Sequence, residues 1–166
     1  MKFYYHPINT CLNFAIILCF YIIPIIFLLS SPPKLAIYIF LLILLIITGP
    51  FCFLMVNNFF RFLFNKAAVE ITDEFYIDHL NGIKIAWNNI NHIGTTNYGQ
   101  WTFLNFDLID QDIFYKQIHN PVQNIFFRLE NFLTKTTFKT NISLVKGDNK
   151  EIFWTIFNRH KKYGIN

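Results

Sequence analysis

The sequence predicts an α+β membrane protein, in which a transmembrane α-hairpin is followed by an antiparallel sheet that a C-terminal amphipathic helix closes. Three observations carry this expectation. Two long apolar runs without a charge fall within the first 56 residues. All ten acidic side chains lie at or after Glu70, and before Asn57 the only charged side chains are Lys2 and Lys34. From Ala68 onward apolar and polar residues mostly alternate, the period of a half-buried strand, before helical spacing returns near the end. Hydrophobic residues make up 54% of the chain and charged residues 14%, against about 25% charged in an ordinary soluble domain. The two halves are therefore suited to different solvents.

Residues 1–10 are expected to form a cytoplasmic tail. The first apolar run, Cys11 to Leu29, holds nineteen residues. At about 1.5 Å rise per residue it spans roughly 28 Å, close to the hydrocarbon thickness of about 30 Å. A signal peptide fits it poorly, because the run is long and no A-x-A site follows. The second run, Leu35 to Val56, holds twenty-two residues. Pro24 and Gly49-Pro50 would break helices in water but are tolerated in a bilayer, and Gly49-Pro50 is placed to bend the exit of the second helix. Ser30-Ser31-Pro32-Pro33-Lys34 leaves room only for a tight turn, so residues 11–56 form a hairpin with both termini on one side. Lys2, Arg61 and Lys66 on the flanks outweigh Lys34 in the turn, and the positive-inside rule places both termini in the cytoplasm. Cys11, Cys19 and Cys52 lie in or beside the apolar runs and read as small apolar fillers.

Residues 57–67 follow as a juxtamembrane interfacial segment. Phe59, Phe60, Leu63 and Phe64 recur at helical spacing with Arg61 and Lys66 among them, which suits rings at headgroup depth and cations against anionic lipid. Residues 68–166 then form the cytosolic domain. Strands are expected over Val69–Thr72, Phe75–Asp78, Ile83–Trp87, His92–Thr96 and Trp101–Ile109, with Asn81-Gly82 as a hairpin turn whose two positions both accept positive φ. Helical spacing follows over Gln111–Ile118 and Pro121–Phe138. Asn120 is placed to cap the second of these, and Ile125, Leu129, Phe132 and Leu133 share one of its faces. Another strand is expected at Asn141–Val145. The last helix starts at the Asp148 cap, with Glu151 at the capping-box position.

Antiparallel strands closed by one amphipathic C-terminal helix are the layout of a pleckstrin-homology-like (PH-like) barrel. Two spans with a short turn, a Gly-containing hairpin, Ile85-Ala86-Trp87-Asn88-Asn89-Ile90 and a final helix resemble the small bacterial inner-membrane proteins that carry a PH-like cytosolic domain. In that family an apolar residue, Trp, two polar residues and Ile mark the third strand and its exit, which Trp87 and Ile90 match. The resemblance implies a PH-like antiparallel β-barrel or sheet with an inserted helical segment, held at the inner membrane by a multi-pass anchor. It implies no activity.

Catalytic patterns are missing from the sequence. The five histidines show no H-x-x-x-H or H-E-x-x-H spacing. Asp107, Asp110 and Asp112 approach a cation loop but lack its Gly and Glu, so they read as charge at a strand end. No G-x-S-x-G elbow and no phosphate-binding glycine loop occurs. The cations are scattered, which suits an anionic membrane surface better than a nucleic-acid groove. The expectation is a non-enzymatic, cofactor-free, membrane-anchored docking domain. Its partners would be the lipid bilayer, anionic lipid headgroups or an unidentified protein, and no nucleic acid. Phe60, Arg61, Lys66, Arg159, Lys161 and Lys162 are the expected interface residues. The alternative is an immunity-type or accessory subunit that binds a toxin or a larger membrane complex.

Overall fold

The computed structural model describes residues 1–30 and 35–164, so the expected turn at 31–34 lies outside the described residues. The chain is α+β, with two antiparallel sheets and five helices among the described residues. Strand β1 (Lys2–Tyr4) leads into α1 (Pro7–Ser30), and α2 (Leu35–Leu63) returns to β2 (Ala67–Ile71). Strands β3 (Phe75–Asp78) and β4 (Ile83–Ala86) complete a four-stranded sheet of order β1-β2-β3-β4. A 3₁₀ turn at Trp87–Asn89 carries the chain out of this sheet into the second one. That sheet has the order β5-β6-β7 and consists of β5 (Ile90–Tyr98), β6 (Trp101–Leu108) and β7 (Phe138–Asn141). Between β6 and β7 stand α3 (Asp112–Gln117) and α4 (Pro121–Thr134), and α5 (Asn149–Tyr163) ends the fold.

The N-terminal residues are not a tail. Phe3 pairs with Val69, and Lys2 with Glu70, so β1 becomes the edge strand of the first sheet. Tyr5 is buried in the core and Tyr5 bridges to Val145. The helical pair is thus an excursion between two adjacent strands of one sheet. Within the pair, the Tyr21 and Thr48 hydroxyls meet at 2.6 Å, Cys52 Sγ donates to the Tyr21 hydroxyl at 3.0 Å, and Phe14 stacks on Phe59 at 3.9 Å. Intramolecular polar pairs of this kind are what an apolar surrounding demands. Among the described residues, one stretch is long and apolar enough to cross a membrane: Leu41–Leu63 of α2, mean hydropathy 2.1. Pro7–Ile23 of α1 is apolar and shorter. Helix α2 continues through Pro50 and past Val56 into the expected interfacial segment.

The core lies between the sheets. Tyr76 packs on Phe106 with ring centroids 4.7 Å apart, Phe106 stacks on Phe138 at 4.6 Å, and Phe114 stacks on Phe138 at 5.2 Å. Trp87 plugs the end of this core, and its indole N–H donates to the Thr72 carbonyl at 3.0 Å, so the buried ring leaves no donor unpaired. Ile152 and Ile156 of α5 are buried against the same core. Asp148 Oδ1 accepts from the amides of Lys150 and Glu151, which fixes the start of α5.

Three local expectations are corrected. The β3–β4 connection is a four-residue loop, in which Gly82 alone takes a positive φ (+73°) while the Asn81 side chain bonds to Asp78. Helix α4 stops at Thr134 rather than Phe138, because Lys135 turns left-handed at φ 56° and its amide bonds back to Asn131. This frees Phe138–Asn141 to pair with Phe103–Phe106, and Ile142–Leu144 becomes a 3₁₀ turn capped by Asn141.

Candidate functional site: the junction of helix and domain

The C-terminal half of α2 is built into the domain. Asn58, in an otherwise apolar stretch, is buried at 8% exposure. Its Oδ1 accepts from the Tyr5 hydroxyl at 3.0 Å and its Nδ2 donates to the Leu80 carbonyl at 3.0 Å. One side chain therefore ties α2 to the segment after β1 and to the β3–β4 loop. Both partners are buried, so both bonds form away from water and their loss would leave orphaned groups. Burial pushes the Tyr5 phenol up to about 12, partly opposed by the neighbouring Arg61 guanidinium.

The expected interface residues separate into two groups. Phe60 is half exposed and Lys66 is exposed at the end of α2. Arg61, between them, is engaged inside the protein: it is half-buried and its Nη2 donates to the Ala67 carbonyl at 3.0 Å. It also joins a charged chain. Burial first, and Arg61 second, lower the pKa of His79, while Glu70 opposes them. Glu70 lies 3.7 Å from His79 and 3.5 Å from Lys2.

The second group sits at the opposite end of the first sheet. Arg159 pairs with Asp73 at 2.7 Å, in the β2–β3 turn, and its side chain also lies over Tyr163. Asp73 follows Ile71, whereas α2 meets the end defined by Ala67, Asp78 and the β3–β4 loop. The length of β2, about 13 Å at 3.3 Å per residue, separates the two ends. Lys161 and Lys162 are exposed on this far end, with Lys162 near the Tyr163 ring. No hydrogen bond or ion pair among the described residues joins the two groups.

A cleft of about 460 Å³ opens where α2 passes the domain, lined by Pro50, Phe53 and Leu54 on one side and by Asn81, Ile118 and Gln123 on the other. Its amides are already committed. Gln117 bonds to both backbone groups of Lys84, Asn120 caps α4, and Gln123 donates to the Pro50 carbonyl. The rest of the lining is largely apolar, with His119 as its titratable side chain and no carboxylate beside it. A second cleft, of about 450 Å³, brings Lys66 and Lys146 together beside Tyr4 and Pro7, at the start of α1.

The most enclosed carboxylate is Asp78, fully buried. It accepts from the Leu80 amide (2.8 Å), the Asn81 amide and side chain, and the Thr140 hydroxyl. Burial raises its pKa against those hydrogen bonds. With every oxygen occupied and no path to solvent, it is a structural pin. Asp110 is exposed and its Oδ1 accepts from the Asp112 amide; no group of three metal-ligating side chains occurs among the described residues. Sequence reasoning missed Asn58, Asp78 and Tyr5. The one available signal was a polar Asn58 closing an apolar run, which reads equally as the end of a span.

These elements define an α+β domain rooted on an apolar helix. No protein-family model, curated protein or solved structure matches this chain.

Proposed function

We propose that this chain is a membrane-anchored, non-enzymatic docking domain, held by α1 and α2 as a two-helix transmembrane hairpin in the plasma (inner) membrane. The observation that carries the proposal is the rooting of α2: the helix of membrane-crossing length is fastened into the domain through Asn58, Tyr5 and Leu80. A domain fixed this way holds its surface at a set distance from the bilayer. The pairing of β1 with β2 supports a there-and-back path, because strands on either side of the hairpin belong to one sheet. Lys2 and Lys66 beside the ends of the hairpin support a cytoplasmic location for both termini. Four strands, three strands and a closing helix support the PH-like reading.

Alkaline carbonate extraction of membranes carrying the full chain tests the anchor. The protein is expected in the pellet and released only by detergent. A folded monomer in the supernatant would overturn it. Truncation at Asn57 is unsuitable for this purpose, since it removes β1 and Tyr5 from the sheet and core. A reporter fused after Asn166 tests sidedness, with cytoplasmic activity as the expected result.

A further inference from the structure

Helix α4 is amphipathic the wrong way round. None of its residues is buried, and Ile125, Leu129, Phe132 and Leu133 are 65%, 51%, 81% and 70% exposed. The apolar stripe expected on one face of this helix faces outward. Several polar side chains turn to the domain instead, beside Phe127, whose ring meets Phe114 edge-on at 5.4 Å. Asn124 donates to the Tyr115 carbonyl (3.0 Å), and Asn131 donates to the Tyr115 hydroxyl (2.9 Å) and to Gln111 (2.7 Å). Glu130 pairs with Lys139 at 2.9 Å, and the Arg128 guanidinium lies over the Tyr115 ring at 4.1 Å. A helix in water does the reverse. Large apolar side chains left in water forgo the gain of burial, and four of them on one face forgo a large part of a domain's net stability.

We propose that the outward face of α4 beds in the headgroup–acyl boundary of the bilayer, beside the α2 span. This rests on the membrane reading of α2. Continuity selects the bilayer as the occupant. Gln123 Nε2 donates to the Pro50 carbonyl at 3.2 Å, and Phe126 meets Phe51 edge-on at 5.3 Å, so α4 is joined directly to α2. Phe53, one turn on, is 72% exposed and extends the apolar surface. A lipid surface that surrounds α2 covers α4 with no further partner. The four stripe residues are uncharged; the exposed Arg128 beside them holds its guanidinium over Tyr115, and the exposed Lys135 at the C-terminal end has the length to keep its ammonium among headgroups. The domain thereby gains a second point of contact, which fixes its rotation about α2 as well as its height.

Spin labels on the full chain, reconstituted in phosphatidylcholine vesicles with a minority of phosphatidylglycerol, test this. In a C11A/C19A/C52S background, single cysteines replace Leu129, Phe132, Leu42 on α2, or Lys150 on the first turn of α5. Collision with oxygen is compared with collision with a neutral nickel chelate. The oxygen-to-nickel ratio at 129 and 132 is expected to rise above that at 150 toward that at 42. A nickel-accessible label at 132 with a lipid-shielded label at 42 overturns the α4 proposal and leaves the anchor standing. A label at 132 shielded from both colliders also overturns it, because a second copy or another protein then covers the face. A nickel-accessible label at 42 overturns the anchor and this inference together.

Discussion

Thr140 on β7 donates its hydroxyl to Asp78 Oδ2 on β3 at 2.6 Å, joining the two sheets through a hydrogen bond closed off from water. Tyr76 extends the link, since its buried hydroxyl donates to Thr140 Oγ1 at 3.1 Å. Thr140→Val is expected to destabilise the fold by about 1–3 kcal/mol, the cost of orphaning buried polar partners. Thr140→Ser should cost less. Thermal and urea unfolding of the detergent-solubilised chain measure both, and an unchanged midpoint in Thr140→Val would remove the link from the account of stability.

The same carboxyl sets a pH dependence. Burial holds the folded pKa of Asp78 above the ordinary 3.8, with the hydrogen bonds from Thr140 and Asn81 working the other way. The folded state therefore holds this proton more tightly than the unfolded chain. Its stabilising contribution is full below the unfolded pKa and is lost as pH rises through the folded one. Asp78→Asn cannot titrate. The stability difference, wild type minus Asp78→Asn, is expected to fall as pH is raised from the unfolded value through the folded one. A flat difference across that range would show that the group does not titrate differently in the two states.

Tyr5→Phe keeps the ring in the core and deletes its bond to Asn58. The buried Oδ1 of Asn58 then has no donor, and a loss of about 1–3 kcal/mol is expected. Tyr5→Ala adds a cavity and should cost about 3–5 kcal/mol, the range for large aromatic truncations. Proteolysis between α2 and β2 offers an independent readout. Both variants should speed cleavage near Lys66 if the bond holds α2 against the domain.

The basic end of α5 should behave differently. Asp73 is 74% exposed on its side chain, and such surface pairs contribute about 0–1 kcal/mol. Arg159→Ala is expected to shift the unfolding midpoint little. Arg159→Ala with Lys161→Ala and Lys162→Ala should leave vesicle association unchanged, because this cluster lies at the sheet end away from α2. A marked loss of association would return the cluster to the membrane side.

Trp87→Ala, in contrast, removes a fully buried ring and should cost about 3–5 kcal/mol. Trp87→Phe should cost less, losing chiefly the indole bond to the Thr72 carbonyl. Denaturant titration separates the two.

Alternation made β3, β4 and β6 readable, because in these every second residue is the more buried and the period of two is local, whereas β2 buries Ala67, Ala68 and Val69 in succession. Strand β1 was not readable: three residues before a helix carry no periodic signal, and only pairing with Val69 and Glu70 makes them a strand. Spacing in α4 located an apolar face but not what covers it. Periodicity records that Ile125 and Leu129 share a side; whether that side meets core, lipid or water is settled by the rest of the chain. The end of α4 was set by one backbone angle at Lys135, for which an Asn or Gly would have been the usual marker. Among the expected interface residues, Arg61 was legible as a cation near the helix end. Its engagement with Ala67 and Tyr5 depends on a fold-back that no local pattern announces.

The placement of β1 ahead of α1 has a consequence for how the chain assembles. Phe3 and Val69 become neighbours only after everything between them has been synthesised. Closing a loop of that length in a disordered polypeptide costs about 4 kcal/mol from the length-dependent entropy alone. Were α1 to pack against α2 first, the two ends would already be close, and the first sheet would acquire its edge by zipping rather than by search. The apolar pair would then serve as a template for the polar domain, and slack between the helices would be felt first at the sheet edge.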